Sequence, residues 1–139
     1  MSHNVDPTRE QFDVFKSLPR DTPIMMLNLV RLNAEAVYPD GETITGAEAY
    51  SRYGKYSGPV FKRLGGSILW RGRPECVVIG PADEQWDVAF VALYPNSGAF
   101  MAMVTDPEYR AIVVHRQVAV ADSRLIRLGQ AEAGAAFSA

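Results

Sequence analysis

At 139 residues the chain is one domain's worth of sequence, long enough to bury roughly two-thirds of the surface its unfolded form exposes. With 14 Lys and Arg against 16 Asp and Glu, a formal charge of −2 and 47% hydrophobic residues, it carries no single-sign field to recruit nucleic acid or an anionic lipid surface. No apolar run reaches a membrane span, the start Met1-Ser2-His3-Asn4 lacks a signal-peptide pattern, and a lone Cys76 beside two distant histidines offers no disulfide and no zinc spacing. These features predict a cytoplasmic protein with no metal, membrane or nucleic-acid partner.

Asp6 and Pro7 predict the start of a short helix with Phe12, Phe15 and Leu18 as its apolar stripe, ended by Pro19 and a turn at Pro23. Ile24 to Leu32 is apolar at both parities, which predicts a strand covered on both faces. Tyr38-Pro39-Asp40-Gly41 is turn chemistry. Thr45 with Glu48 reads as a capping box opening a helix whose Ala49, Tyr53, Tyr56, Val60 and Leu64 fall on one arc. Gly58-Pro59 should kink or interrupt that helix, and Gly65-Gly66 should stop it. Ser67–Arg71 and Cys76–Ile79 predict one long strand bent at Gly72-Arg73-Pro74, and Trp86–Tyr94 a second central strand. Asn96 or Ser97 caps a short helix through Met103, and Asp106-Pro107 opens another that runs to about Ala121. Asp122-Ser123 should break it before a less apolar edge strand, Arg124–Leu128, and Gly129 begins an Ala-rich tail.

Strand, helix, strand, strand, helix, strand is the α+β, ferredoxin-like βαββαβ order: a four-stranded antiparallel sheet with two main helices on one face and an extra N-terminal helix. The division predicted is a helical extension over 1–22, the domain over 23–129 and a tail over 130–139. Right-handed crossovers place both main helices on the same face, so the second apolar face needs another cover. A second copy closing its sheet against the first, as a two-fold dimeric α+β barrel, supplies it. The alternative cover is the N-terminal helix.

The phrases Met26-Leu27-Asn28-Leu29-Val30-Arg31, Gly65-Gly66 ahead of Trp70-Arg71-Gly72, Trp86-Asp87, Tyr94-Pro95, Asp106-Pro107-Glu108-Tyr109-Arg110, His115-Arg116 and Asp122-Ser123-Arg124-Leu125-Ile126 resemble the family called domain of unknown function 1330. The resemblance runs from about Pro23 to Leu128. It implies the dimeric α+β barrel superfamily and no established activity. The wider superfamily includes cofactor-free monooxygenases of aromatic polyketides, haem-degrading monooxygenases, muconolactone isomerases and non-catalytic ligand-binding domains.

Among residues that bear chemistry, His115 falls mid-arc on the apolar side of its helix and is expected to face the sheet, as a general base or as a packed, hydrogen-bonded histidine. Asn28 interrupts an apolar strand, so its amide is either satisfied in the core or lines a cavity. These two are the catalytic candidates. Tyr53 and Trp70 are candidate pocket walls, and Arg31 and Arg116 further ligand-binding candidates. Arg31 has the opposite parity to Asn28 and is expected to reach solvent or pair across the dimer interface. Arg116 lies at the edge of its arc with Asp122 as a candidate ion-pair partner, and Cys76 reads as a small strand hydrophobe. Asn28, Trp70 or Trp86, and His115 resemble in type a trio used by some haem-degrading relatives. The reading is a homodimer with a small apolar pocket between sheet and helices, without a cofactor. It acts on a small aromatic or carbonyl compound in the manner of a monooxygenase or isomerase, or else binds a metabolite or protein without catalysis, or binds haem.

Overall fold

The computed structural model describes residues 3–134 and Phe137; of the expected tail, 135, 136, 138 and 139 lie outside the described residues, and the remainder carries neither helix nor strand. The elements are α1 (Arg9–Ser17), β1 (Ile24–Leu32), β2 (Glu35–Val37), β3 (Thr43–Thr45), α2 (Gly46–Arg63), β4 (Ser67–Gly72), β5 (Val88–Tyr94), α3 (Ser97–Thr105), α4 (Pro107–Ala119) and β6 (Val120–Gly129). Four strands form an antiparallel sheet in the order β4-β5-β1-β6, and β2 pairs with β3 as a separate hairpin. This is the ferredoxin-like α+β arrangement, with the two strands apolar at both parities in the middle and β6 at an edge.

Alternation along β1 divides the sheet into two faces. Ile24, Met26 and Val30 are almost wholly buried and pack under the helices. Met25, Leu27 and Leu29 point the other way, level with Leu93, Val91 and Ala89 of β5 and with Leu128, Ile126 and Arg124 of β6. Two apolar clusters fill the helix side. One gathers Ile24, Met26, Val60, Tyr94, Phe100 and Met103, the other Val30, Ala36, Ala49 and Ala119. Asn28 stands on the same face between Met26 of the first and Val30 of the second.

The N-terminal helix does not cover the second face. Phe12 and Phe15 pack on the Ile24–Met26 cluster, the Phe15 ring lies 5.1 Å from that of Phe100, and Arg127 donates to the carbonyls of Phe15 (3.2 Å) and Pro19 (2.6 Å). All four helices therefore lie on one side. Trp70, Ile126 and Leu128 on the far side are 52%, 46% and 37% exposed.

Several local expectations change. Thr8 rather than Asp6 caps α1, because Gln11 stands three residues on and completes a reciprocal capping box. Pro59 lies inside an unbroken α2, so it does not interrupt the helix. The strand after Gly66 ends at Gly72. Cys76–Ile79 is an exposed loop with no pairing strand, which leaves Cys76 at the surface rather than packed in a sheet. The last strand begins at Val120 and runs straight through Asp122-Ser123, whose side chains find partners and do not break it. The β2–β3 hairpin around the Tyr38–Gly41 turn has no counterpart among the predicted elements.

Other starts are as expected, except that the capping box at Thr45 is not reciprocal, the Glu48 carboxylate taking the Thr45 hydroxyl at 3.1 Å and not its amide. Thr45 accepts from the Glu48 amide at 3.0 Å, Asn96 caps α3, and Asp106 closes α3 and caps α4. Asn33, just past β1, lies against the C-terminal end of α4: its amide donates to Ala119 O (2.8 Å) and its side chain to Val118 O (3.0 Å). Those carbonyls would otherwise lack partners. Gly46 sits against this junction, where an added Cβ would lie 1.9 Å from the Asn33 carbonyl oxygen. Gly46→Ala is accordingly expected to destabilise the fold by about 1–3 kcal/mol, seen as an earlier midpoint in urea with an unchanged slope.

Candidate functional site

His115, half-buried on α4, is turned toward α2 and the hairpin rather than toward the sheet. The Tyr38 hydroxyl lies 2.6 Å from its Nδ1, the Tyr38 ring packs edge-on at 5.4 Å, and the Tyr56 ring of α2 lies 5.4 Å away on a tilted plane. Tyr38 is held in turn by Arg52, whose guanidinium sits 5.4 Å over its ring. Arg52 is gripped by Glu42 through two bonds of 3.0 Å, one to each carboxylate oxygen. The hairpin positions this arrangement: Tyr38 and Glu42 flank the turn, with Tyr38 N donating to Glu42 O at 2.8 Å and Gly41 at a φ of 96° that suits glycine.

Burial, reinforced by the Arg52 cation, holds the His115 imidazole below its ordinary value of 6.5, with Glu42 opposing, so the ring is neutral at neutral pH. In the tautomer that carries its proton on Nε2, a neutral ring accepts the Tyr38 proton at Nδ1. Since the folded value is depressed, this contribution to stability is full above about pH 6.5 and is lost as pH falls toward the folded value. Beside the pair, Ala47, Glu48, Ser51, Arg52, Lys55 and Tyr56 line an open hollow on α2. Arg52 and Tyr56 belong to both.

A second polar group lies between sheet and helices. The Tyr53 and Tyr109 hydroxyls are 2.8 Å apart, and the Tyr50 ring is 5.6 Å from that of Tyr53. Burial pushes the Tyr50 and Tyr109 hydroxyls well above the usual phenol range, while the Arg116 cation opposes it at both. Arg116 donates to the Val5 carbonyl at 2.5 Å and to Ser123 Oγ at 3.3 Å.

The expected residues therefore separate. Asn28 donates to the Met26 carbonyl at 3.0 Å, and among the described residues no hydrogen bond joins it to His115. Tyr53 belongs to the interior tyrosine group, while Arg116 meets the Val5 carbonyl and Ser123. Trp70 is level with Val91, on the face away from the helices, so it walls no helix-side pocket. Arg31 is on that far face too: it donates to Asp83 O at 3.1 Å and lies 3.8 Å from Asp122, an ion pair within the chain. Asp122 pairs with Arg31 and Arg124 and not with Arg116, because successive residues of β6 point to opposite faces and Arg116 meets Ser123. Tyr38, Glu42, Arg52, Tyr50 and Tyr109 were not among the expected site residues; a tyrosine directly before Pro39-Asp40-Gly41 was the available signal for the first.

Among the described residues no group of three His, Cys, Asp or Glu could hold a metal ion, and no helix is long and apolar enough to cross a membrane. The family model described as "Domain of unknown function (DUF1330)" matches residues 41–128. Two solved structures of the protein RPA0582, in one of them described as a protein of unknown function from Rhodopseudomonas palustris, are 54% identical to this chain. The methylated form superposes with a TM-score of 0.92 over 96% of this chain and 99% of that one, the other with 0.90 over 95% and 100%. SnoaB, a cofactor-independent oxygenase from Streptomyces nogalater, shares the fold at 12% identity, with a TM-score of 0.52 over 81% of this chain and 96% of that one. No curated protein matches.

Proposed function

This chain belongs to the DUF1330 family, and from that premise we propose that it is a homodimeric α+β barrel protein performing cofactor-independent acid–base chemistry on a small aromatic or carbonyl compound. The observation that carries this reading is the 2.6 Å contact between Tyr38 and a neutral His115, beside an open hollow.

The chemistry follows from the donors. With Tyr38 donating to Nδ1, the Nε2–H of His115 is free to be given to a substrate oxygen as negative charge develops there. As that proton leaves Nε2, the Tyr38 proton moves to Nδ1. The resulting phenolate stays beside the Arg52 guanidinium, whose own position Glu42 fixes. The reverse transfer takes a proton from substrate. A dimer suits the fold because the helix-free face of the sheet is apolar, and a two-fold partner presents a matching apolar face.

The test is a screen of small quinols, hydroxyaromatic acids and β-dicarbonyl compounds, read by the His115 imidazole NMR signals and by turnover. A compound that shifts those signals should be converted, and conversion should fall by about a hundredfold or more in His115→Phe and Tyr38→Phe. Binding without conversion makes the site a metabolite sensor. Conversion that survives both substitutions, or binders that leave the imidazole unmoved, removes His115 from the chemistry.

A further inference from the structure

Independently of His115, we infer that the interior space beside Arg116 is a binding site for a small carboxylate, held by the Arg116 guanidinium together with the hydroxyls of Tyr50, Tyr53 and Tyr109.

The argument begins with charge. Arg116 is half-buried, and among the described residues no carboxylate lies within 4 Å of it; its acceptors are the Val5 carbonyl and the Ser123 hydroxyl, both neutral. Arg52 and Arg63, by contrast, each have a carboxylate on them, and Arg127, whose acceptors are likewise carbonyls, has the Phe15 ring 4.9 Å from its guanidinium. A cation withdrawn from water without an anion is costly, and an anionic ligand removes that cost. Arg116 also retains donors beyond the two in use, in a planar fork that suits carboxylate.

The neighbours add directional donors. The Tyr53–Tyr109 pair shares one hydroxyl proton internally and leaves the other to donate elsewhere. Among the described residues the Tyr50 hydroxyl has no hydrogen-bond partner, although burial keeps it protonated. It is not sealed from a probe the size of water, since no fully buried side-chain oxygen or nitrogen among the described residues lacks a partner, so it borders accessible space. Packing sets Tyr50 near Arg116: Tyr50 and Val5, whose carbonyl takes Arg116, lie against the same apolar cluster, and Tyr109 is two helical turns before Arg116 on α4. On the helix side, Arg116 acts electrostatically on both Tyr50 and Tyr109. One cation with phenol donors around it, against the apolar wall of Ile112 and Val113, fits the carboxylate of a compact organic acid better than a neutral amide.

The experiment uses the full chain, with benzoate and pyruvate as probes and benzamide as the neutral isostere of benzoate. Calorimetric titration should show at least one of the two acids binding and benzamide not. Arg116→Gln and Tyr50→Phe should each weaken the acid, the first about tenfold or more, the second less. Because Arg116 also tethers Val5, Arg116→Lys serves as the folded comparison that keeps a charge without the fork and should lie between. Equal binding of benzamide, undiminished binding in Tyr50→Phe and Arg116→Lys, or no binding of either acid overturns the inference. His115→Phe should leave acid binding unchanged, so the two sites fail separately.

Discussion

Leu27→Asp should convert a particle of twice the 15.3 kDa chain mass into a single chain, as measured by light scattering at micromolar concentration. Leu27 is at the centre of the face that no helix covers. Directly beside it across the ladder are Val91 and Ile126, Trp70 stands beyond Val91, and Met25, Leu93 and Leu128 form the next row. A carboxylate there must be desolvated on assembly, and two-fold symmetry places it in the interface twice. Several kcal/mol is expected, which raises the dissociation constant by about a hundredfold or more. The chain's own stability should fall less than its assembly, because Leu27 is only half-buried in the isolated subunit. Val14→Asp on α1, at a position 62% exposed, should leave the mass at two copies. A wild-type protein that runs as one chain would remove the dimer, and with it the cover for this face.

What could be read in advance follows from how locally each feature is encoded. β1 and β5 are apolar at both parities, and Thr45, Asn96 and Asp106 are short polar residues with free amides to accept, so those elements follow from neighbours in sequence. The errors arise where the deciding partner is distant. Val77-Val78-Ile79 has every strand propensity but no strand to pair with, and Val78 and Ile79 remain 86% and 95% exposed. Asp122-Ser123 looks like a break until Asn4, 118 residues away, is seen to satisfy Asp122. The site divides on the same ground. The helical wheel locates His115 on a packed arc but cannot say that its partner is Tyr38, 77 residues back in the turn between two three-residue strands. Parity alone, by contrast, separates Asn28 from Arg31 correctly, because β1 is regular through both.

Asp122→Ala should lower unfolding free energy at neutral pH by about 3 kcal/mol, the lower end for removing one member of a buried ionic group. The Asp122 side chain is 4% exposed. Its Oδ1 takes the Asn4 amide at 2.9 Å, the Asn4 side chain at 3.2 Å and Arg124 at 2.9 Å, while Oδ2 lies 3.8 Å from Arg31. Removing it strands these donors; the two arginines are 20% and 30% exposed and recover some hydration, which sets the lower figure. Burial alone would push the carboxyl up, but the Asn4 donors and Arg124 outweigh it and hold it far below the usual carboxylate range. A depressed folded value means the stabilisation is present above the ordinary value of about 3.8 and is lost as pH falls below it. Urea titrations should therefore show wild type and Asp122→Ala far apart at neutral pH and converging in acid. Asp122→Asn keeps an acceptor for Asn4 without the charge and should fall between them. Asp122→Ala also loosens the N-terminal arm, which Asp122 and Ser123 hold through Asn4, with Ser123 Oγ donating to Asn4 O at 2.6 Å. Limited proteolysis should then cleave ahead of α1 in Asp122→Ala at protease levels that leave the wild type intact. A gap between wild type and variant that stays constant down to acid pH would assign the loss to packing, not to the charge.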